Sequence, residues 1–338
     1  MESTLLHSAI AGTNFLNSLI DKNGKFTYGY DIIFNFRGKI TSFNKVPGYN
    51  MLRHAGSLWS LIRMCYILRS VDPVLRKDLY ENITNSVNWM IDRIKQINGS
   101  YSALVEGNYA KLGGAGLAAL VLDSYGKEFG INTYYPIVKE LCQYILTCTD
   151  NQNDLFFTKH KFNVKSKQNT KFISNFYPGE ALLALATVTE FKEKVSDFFE
   201  SYKKYRDSTE HIRDHWMAQA ISSFYQDKDS IPDNIIDYIN KIAEVTLKAK
   251  GQRTGPMACR SESLLACYNV SKNKMYLSEA KKLINIQLTR QLFNTGEPKL
   301  DGAFIAADNE AWVRNDINQH NICSFIPIIE EEEIHGTT

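Results

Sequence analysis

Six helix-like segments of this chain each open with a polar motif, and this recurrence limits the folds open to it. They begin Tyr49-Asn50-Met51-Leu52-Arg53-His54-Ala55-Gly56, Leu112-Gly113-Gly114-Ala115-Gly116, Tyr177-Pro178-Gly179-Glu180-Ala181, Asp214-His215-Trp216-Met217-Ala218-Gln219, Thr254-Gly255-Pro256-Met257-Ala258-Cys259-Arg260-Ser261-Glu262 and Arg314-Asn315-Asp316-Ile317-Asn318-Gln319-His320-Asn321. An apolar stretch at helical spacing follows most of them.

Periodicity predicts about twelve helices of two kinds in alternation. The odd-numbered helices, 4–19, 76–97, 134–147, 191–205, 232–249 and 276–293, carry Lys and Glu on one side, as a helix with one wet face does. The even-numbered helices, 49–69, 112–124, 178–187, 215–224, 258–270 and 316–326, are rich in Ala, Gly, Leu and Ser and poor in charge beyond the first turn. They suit packing on most sides. Connections from odd to even are long (20–48, 98–111, 148–176, 294–315), and those from even to odd are short. Long loops in a compact domain are usually functional. Strand-like pieces fall within them at 26–36, 155–162 and 302–306. No Pro/Gly/Ser linker divides the chain, so one domain is expected over 1–329, with a frayed acidic tail at 330–338.

This alternation and loop asymmetry resemble the (α/α)6 toroid shared by six-hairpin glycosidases, sugar epimerases of the N-acylglucosamine 2-epimerase type, alginate-lyase-like polysaccharide lyases, lanthionine cyclases and terpenoid cyclases. The resemblance implies an all-α barrel of alternating inner and outer helices, with short β pieces in the long loops. It would bring the six motifs to one rim. No complete catalytic signature of one family is present, so the activity must be argued from the residues.

Within the last motif, Asp316 and His320 are four apart and share a helix face, which suggests a carboxylate orienting an imidazole that acts as acid or base. The bland reading is a helix cap and a core histidine. Gln319 adds an amide able to read a hydroxyl. Arg53 and His54 open their helix after Pro47-Gly48. Glu180 in Pro178-Gly179-Glu180 is a candidate general acid or base, although Pro and Glu also begin helices for structural reasons. Asp214 is a natural N-cap, and His215 beside Trp216 places an imidazole next to an aromatic surface. Tyr177, Trp312, Tyr109 and Phe304 are further rings able to stack on a sugar. Arg53, Arg213, Arg253, Arg260 and Arg314 lie in or near these motifs, with Glu262 two residues from Arg260. Arginine binds carboxylate or phosphate through a planar fork, which points to an anionic substrate.

The glycine-rich Leu112–Gly116 stretch lacks the Lys-Ser/Thr ending of a phosphate loop. His320 and Cys323, with Cys259 and His215, raise a zinc-dependent cyclase as a less favoured reading. No paired-cysteine cluster supports it, and no cofactor or metal is expected. Asp308-Asn309-Glu310 is a poor match to the aspartate-rich terpenoid signature.

A net charge of +2 gives no case for nucleic acid, and no apolar run approaches the length of a membrane span. The N-terminus carries an acid where a secretory signal carries Lys or Arg, and the six cysteines sit mostly in apolar stretches. A reducing cytoplasm is expected. The leading expectation is a carbohydrate-active enzyme on an anionic, uronic-acid-like oligo- or polysaccharide. Hydrolysis is favoured, by Glu180 paired with Asp316 or Glu310. The alternatives are an epimerase or lyase using His54, His215 and His320, and a non-catalytic glycan- or peptide-binding module.

Overall fold

The computed structural model describes residues 2–35, 38–97, 99–150 and 155–336. Phe36, Asn98, Thr337 and Thr338, each part of an expected strand, loop or tail, lie outside them. In chain order the elements are α1 (Glu2–Ser18), β1 (Gly29–Phe34), β2 (Ile40–Lys45), α2 (Met51–Val71), α3 (Pro73–Ile91), β3 (Ile94–Gln96), β4 (Ser102–Glu106), β5 (Tyr109–Lys111), α4 (Leu112–Phe129), α5 (Tyr135–Thr147), β6 (Thr149–Asp150), β7 (Phe156–Phe157), β8 (Lys161–Asn163), β9 (Gln168–Asn169), α6 (Tyr177–Thr187), α7 (Val195–Ser208), α8 (His215–Tyr225), α9 (Asp233–Lys248), α10 (Thr254–Ser271), α11 (Lys274–Leu288), β10 (Trp312–Arg314) and α12 (Asn315–Gly336). The alternation read from the sequence is present helix for helix.

The helix starts follow local chemistry. The Asn50 side chain accepts hydrogen bonds from the Leu52 and Arg53 amides at 2.9 and 3.2 Å and so caps α2. Asp214 accepts from the Met217 amide at 3.1 Å and caps α8. Pro178 opens α6, where a missing N–H costs nothing. Two boundaries depart from the periodic reading. The expected helix 76–97 stops at Ile91, and its end becomes β3, paired antiparallel with β4. The last helix passes through Pro327, where the sequence suggests a stop, and runs through the expected tail to Gly336.

The chain forms two compact units. Unit 1 comprises Met1–Trp89, Lys250–Glu262 and Ala280–Thr338. In it α12 packs against α1 and α2. A three-stranded sheet of order β10-β1-β2 lies beside the N-terminus of α12, with Gly29 opposite Arg314 and Asp31 opposite Trp312. Two of these strands, β2 and β10, have no counterpart in the sequence reading, and 302–306 supplies only a single bridge from Phe304 to Gln291.

Unit 2 comprises Met90–Ala249 and Ser263–Glu279. Here α4, α6 and α8 pack in series, α5 joins α4, and a five-stranded sheet of order β3-β4-β5-β8-β9 leads into α4. The series depends on glycine. A Cβ on Gly116 would stand 2.6 Å from the Glu180 carbonyl oxygen and 2.9 Å from Ala181 Cα. These are backbone atoms that cannot swing aside, so α4 and α6 approach as closely as they do because residue 116 has no side chain.

Gly116→Ala should therefore cost about 1–3 kcal/mol in denaturant unfolding, the usual cost of overpacking. Gly251→Ala, whose Cβ would meet nothing closer than Pro256 Cβ at 3.9 Å, should be near neutral.

Candidate functional site

Unit 1 holds the better-developed polar constellation, at the start of α2, in α10 and at the start of α12. Asp316 is the hinge of its first half. Arg53 Nε approaches Asp316 Oδ2 at 2.9 Å from α2. Arg314 approaches the same carboxylate from the strand side, its Nη2 at 2.9 Å and its Nε in close contact. Two guanidinium groups thus share one carboxylate. Burial lowers the Arg53 pKa, Asp316 raises it, and Arg314 lowers it further. Both guanidiniums lie over the Tyr28 ring, at 5.2 and 5.7 Å, and Arg314 also lies over Trp312 at 4.9 Å. An open pocket of about 230 Å³ adjoins them, lined by Tyr28, Asp31, Val46, Trp312, Val313 and Arg314.

The second half is His320 with Glu262. His320 Nδ1 lies 3.1 Å from Glu262 Oε1 and 3.3 Å from Oε2. Cys259, one helical turn before Glu262 on α10, brings its sulfur within 4.8 Å of a His320 ring nitrogen. Burial by itself lowers an imidazole pKa. The negative charge of Cys259 and Glu262 outweighs it, and the His320 pKa is raised well above its ordinary 6.5. Gln319 is buried on the same turn, close enough to α2 that a Cβ on Gly56 would meet its Oε1 at 2.5 Å.

The Asp316–His320 pairing read from four-residue spacing is not formed. Shared face set the expectation, but Asp316 takes the two arginine forks and His320 takes a carboxylate from another helix. A bidentate guanidinium contact is the stronger of the options open to a carboxylate. His54 departs further. It is wholly shielded, in close contact with the Tyr49 hydroxyl through Nδ1, 3.2 Å from the Ser86 carbonyl oxygen through Nε2, and stacked on Trp89 at 4.8 Å. The structure places it as a core histidine.

The arginines do not form one cluster of free cations. Arg253 donates from Nε and Nη2 to Glu310 Oε1 at 3.0 and 2.8 Å, and Glu310 also accepts from Trp312 Nε1 at 3.2 Å. Arg260 donates to the Gly251 carbonyl at 3.1 Å. Arg290, outside the sequence reading, grips Asp308 through Nε and Nη2 at 2.9 and 2.7 Å. Phe304 is buried against Phe325 and is a packing residue.

Unit 2 carries Glu180, Tyr177, Asp214, His215 and Trp216. Glu180 is buried in the first turn of α6, beside Gly113 of α4. A Cβ there would overlap Glu180 Oε2 and stand 2.7 Å from Tyr177 Cδ1. Burial, then the charges of Glu180 and Glu106, pushes the Tyr177 hydroxyl well up. His160, which sequence reasoning missed, stacks on Tyr177 at 6.4 Å, lies 2.8 Å from the Phe157 carbonyl through Nε2, and accepts from the Ser174 amide. No helical period marks it, since it sits in the loop before β8. His215 is buried between Trp216 at 4.9 Å and Phe176 at 6.0 Å. Trp216 is buried with it, so it is no open stacking surface. Burial pushes the Asp214 carboxyl up to about 7, against the lowering effect of the Met217 and Trp216 amides.

No protein-family profile matches the chain, and no curated protein sequence matches it. Solved structures do. Cellobiose 2-epimerase from Spirochaeta thermophila superposes with a TM-score of 0.71 at 12% identity, over 98% of this chain and 96% of that one. A D-mannose isomerase gives 0.69 at 9% identity, over 97% and 98%. A glycoside hydrolase family 76 mannosidase from Bacteroides thetaiotaomicron gives 0.64 at 10% identity, over 98% and 100%. At these identities the likeness shows the fold alone, an (α/α)6 toroid.

Asp214 supplies a test by pH. Its folded pKa lies above its unfolded one, so the folded state holds the extra proton and stability falls as pH rises from about 4 to about 7. Asp214→Asn keeps the cap acceptor and removes the titration. Urea unfolding at pH 5 and pH 8 should show the wild type losing on the order of a few kcal/mol more than the variant over that interval. Equal losses would reject the assignment.

Proposed function

We propose that this chain is a carbohydrate-active enzyme whose acid/base group is His320, and that its chemistry is proton transfer at a saccharide carbon of the epimerase or isomerase type. The carrying observation is the His320–Glu262 contact. An imidazole whose charged form is favoured by a buried carboxylate is a proton donor at neutral pH, and its conjugate base can take a proton back. Glu262 fixes the ring and the nitrogen that exchanges.

Hydrolysis, favoured from sequence, needs two carboxylates, one of them held protonated. Asp316 is engaged by two arginines, and Glu310 by Arg253 and Trp312, so the oxygens of both carboxyls are already committed to partners. That weakens them as acids and favours proton transfer by imidazole. Hydrolysis keeps a second place because Glu180 is a buried carboxylate beside Tyr177 on the other unit.

For the substrate we infer a sugar carrying negative charge. The guanidiniums of Arg53 and Arg314 lie beside the Tyr28 and Trp312 rings, a setting that suits a carboxylated or phosphorylated sugar. We place the protein in the reducing cytoplasm. None of the six cysteines is paired in a disulfide, and no described helix is long and apolar enough to cross a membrane.

Incubation of aldoses, ketoses and uronic acids in D₂O should lead to deuterium at the carbon next to the carbonyl, read by NMR. His320→Ala should lower that exchange by about 10²–10⁴-fold, the usual cost of losing an acid/base group. Arg314→Lys should weaken binding of acidic sugars more than of neutral ones. Release of reducing ends with no deuterium uptake would instead favour hydrolysis. Full exchange in His320→Ala would reject the role of His320.

A further inference from the structure

Cys259 differs from the other cysteines in its surroundings. Cys65, Cys142, Cys148, Cys267 and Cys323 are buried, and Cys259 is partly accessible. Burial pushes the thiols of Cys142, Cys148, Cys267 and Cys323 up to about 12, which makes them inert. Cys259 and Glu262 are three apart on α10, so both face the same way, and His320 of α12 meets both. Glu262 holds Nδ1 of the imidazole, which turns the other edge of the ring toward proton exchange with a second partner. The charged and titratable groups of this unit around the cluster are Glu262 on α10, Cys323 on α12, and Arg63 on α2, whose charge is felt at Cys323.

We propose that Cys259, His320 and Glu262 form a nucleophile–base–orienter set, with Cys259 as the activated thiol and an electrophilic carbon as its substrate class. In the step, sulfur forms a bond to carbon while the proton it shares with His320 is held on the imidazole. At a carbonyl carbon, such as that of an open-chain sugar, the carbonyl oxygen takes the π pair and then recovers the proton from His320, giving a hemithioacetal. At a carbon bearing a leaving group, that group departs with the bonding pair. Glu262 acts through the imidazole, so it is a positioning residue. The order of roles is that of nucleophile and base within reach, with the base oriented by a third group. It stands whether or not the saccharide reading holds.

The test is alkylation of the native full-length protein with iodoacetamide at pH 7, followed by intact mass and peptide mapping. The expected result is one carbamidomethyl group, on Cys259. His320→Asn should slow it by about tenfold or more, since each pKa unit on a thiol above ambient pH cuts the thiolate tenfold. Glu262→Gln should slow it to a lesser degree. Circular dichroism and protection of the five buried thiols report whether each variant is folded. If His320→Asn does not fold, the wild-type site and the Glu262→Gln rate decide. Labelling of a buried cysteine first, or a Cys259 rate unchanged in a folded variant, overturns the proposal.

Discussion

A buried carboxylate must be matched, and in this chain Glu262 is matched by His320. Only 4% of the Glu262 surface is exposed. An ionised carboxylate in such a place is costly unless a cation meets it, and breaking a buried pair by removing one partner costs about 3–5 kcal/mol. The contact therefore does two things at once. It ties α10 to α12 within unit 1, and, together with the negative charge of Cys259, it raises the imidazole pKa. The sign of the linkage follows. With its folded pKa raised, His320 contributes stability that is present below about 6.5 and is lost as pH rises through the folded value. A group whose charge both stabilises and reacts cannot be optimised for stability alone, and such groups are characteristic of functional sites.

The Asp316 cluster solves a related problem differently. One carboxylate is satisfied by two guanidiniums, and both guanidiniums lie over aromatic faces. The strand pairing of β1 with β10 fixes this geometry, because Gly29 opposite Arg314 sets where the arginine leaves the sheet. A Cβ on Gly29 would stand 2.2 Å from the Val313 carbonyl oxygen, so the close passage of the two strands needs glycine there. Sheet register and helix start are thus joined at two residues, Arg314 and Asp316, and the pocket beside them follows from that joint.

Much of the fold was legible in the sequence because helices announce themselves locally. The caps at Asn50 and Asp214, the Pro178 start and the apolar faces all report on neighbours within one or two turns. Less visible was whatever depends on distant partners. The β2 and β10 strands are short edge pieces with little alternation, and the end of α3 becomes β3 because β4 is there to pair with it. The candidate site shows the same division. Four-residue spacing revealed that Asp316 and His320 share a face, but not that Arg53 and Glu262 would claim them from other helices. His54 had the same local signature as His320, yet Tyr49, Ser86 and Trp89 enclose it. Spacing within one helix carries no information about which distant element packs on it.

The proposed chemistry needs a His320 whose pKa is raised by the negative charge of Cys259 and Glu262 beside it. An NMR titration of the imidazole in the native protein tests it most directly, with Glu262→Gln as the comparison. The account predicts a wild-type pKa clearly above 6.5 that falls in the variant. An imidazole titrating at or below 6.5, or one indifferent to loss of the Glu262 charge, would contradict it.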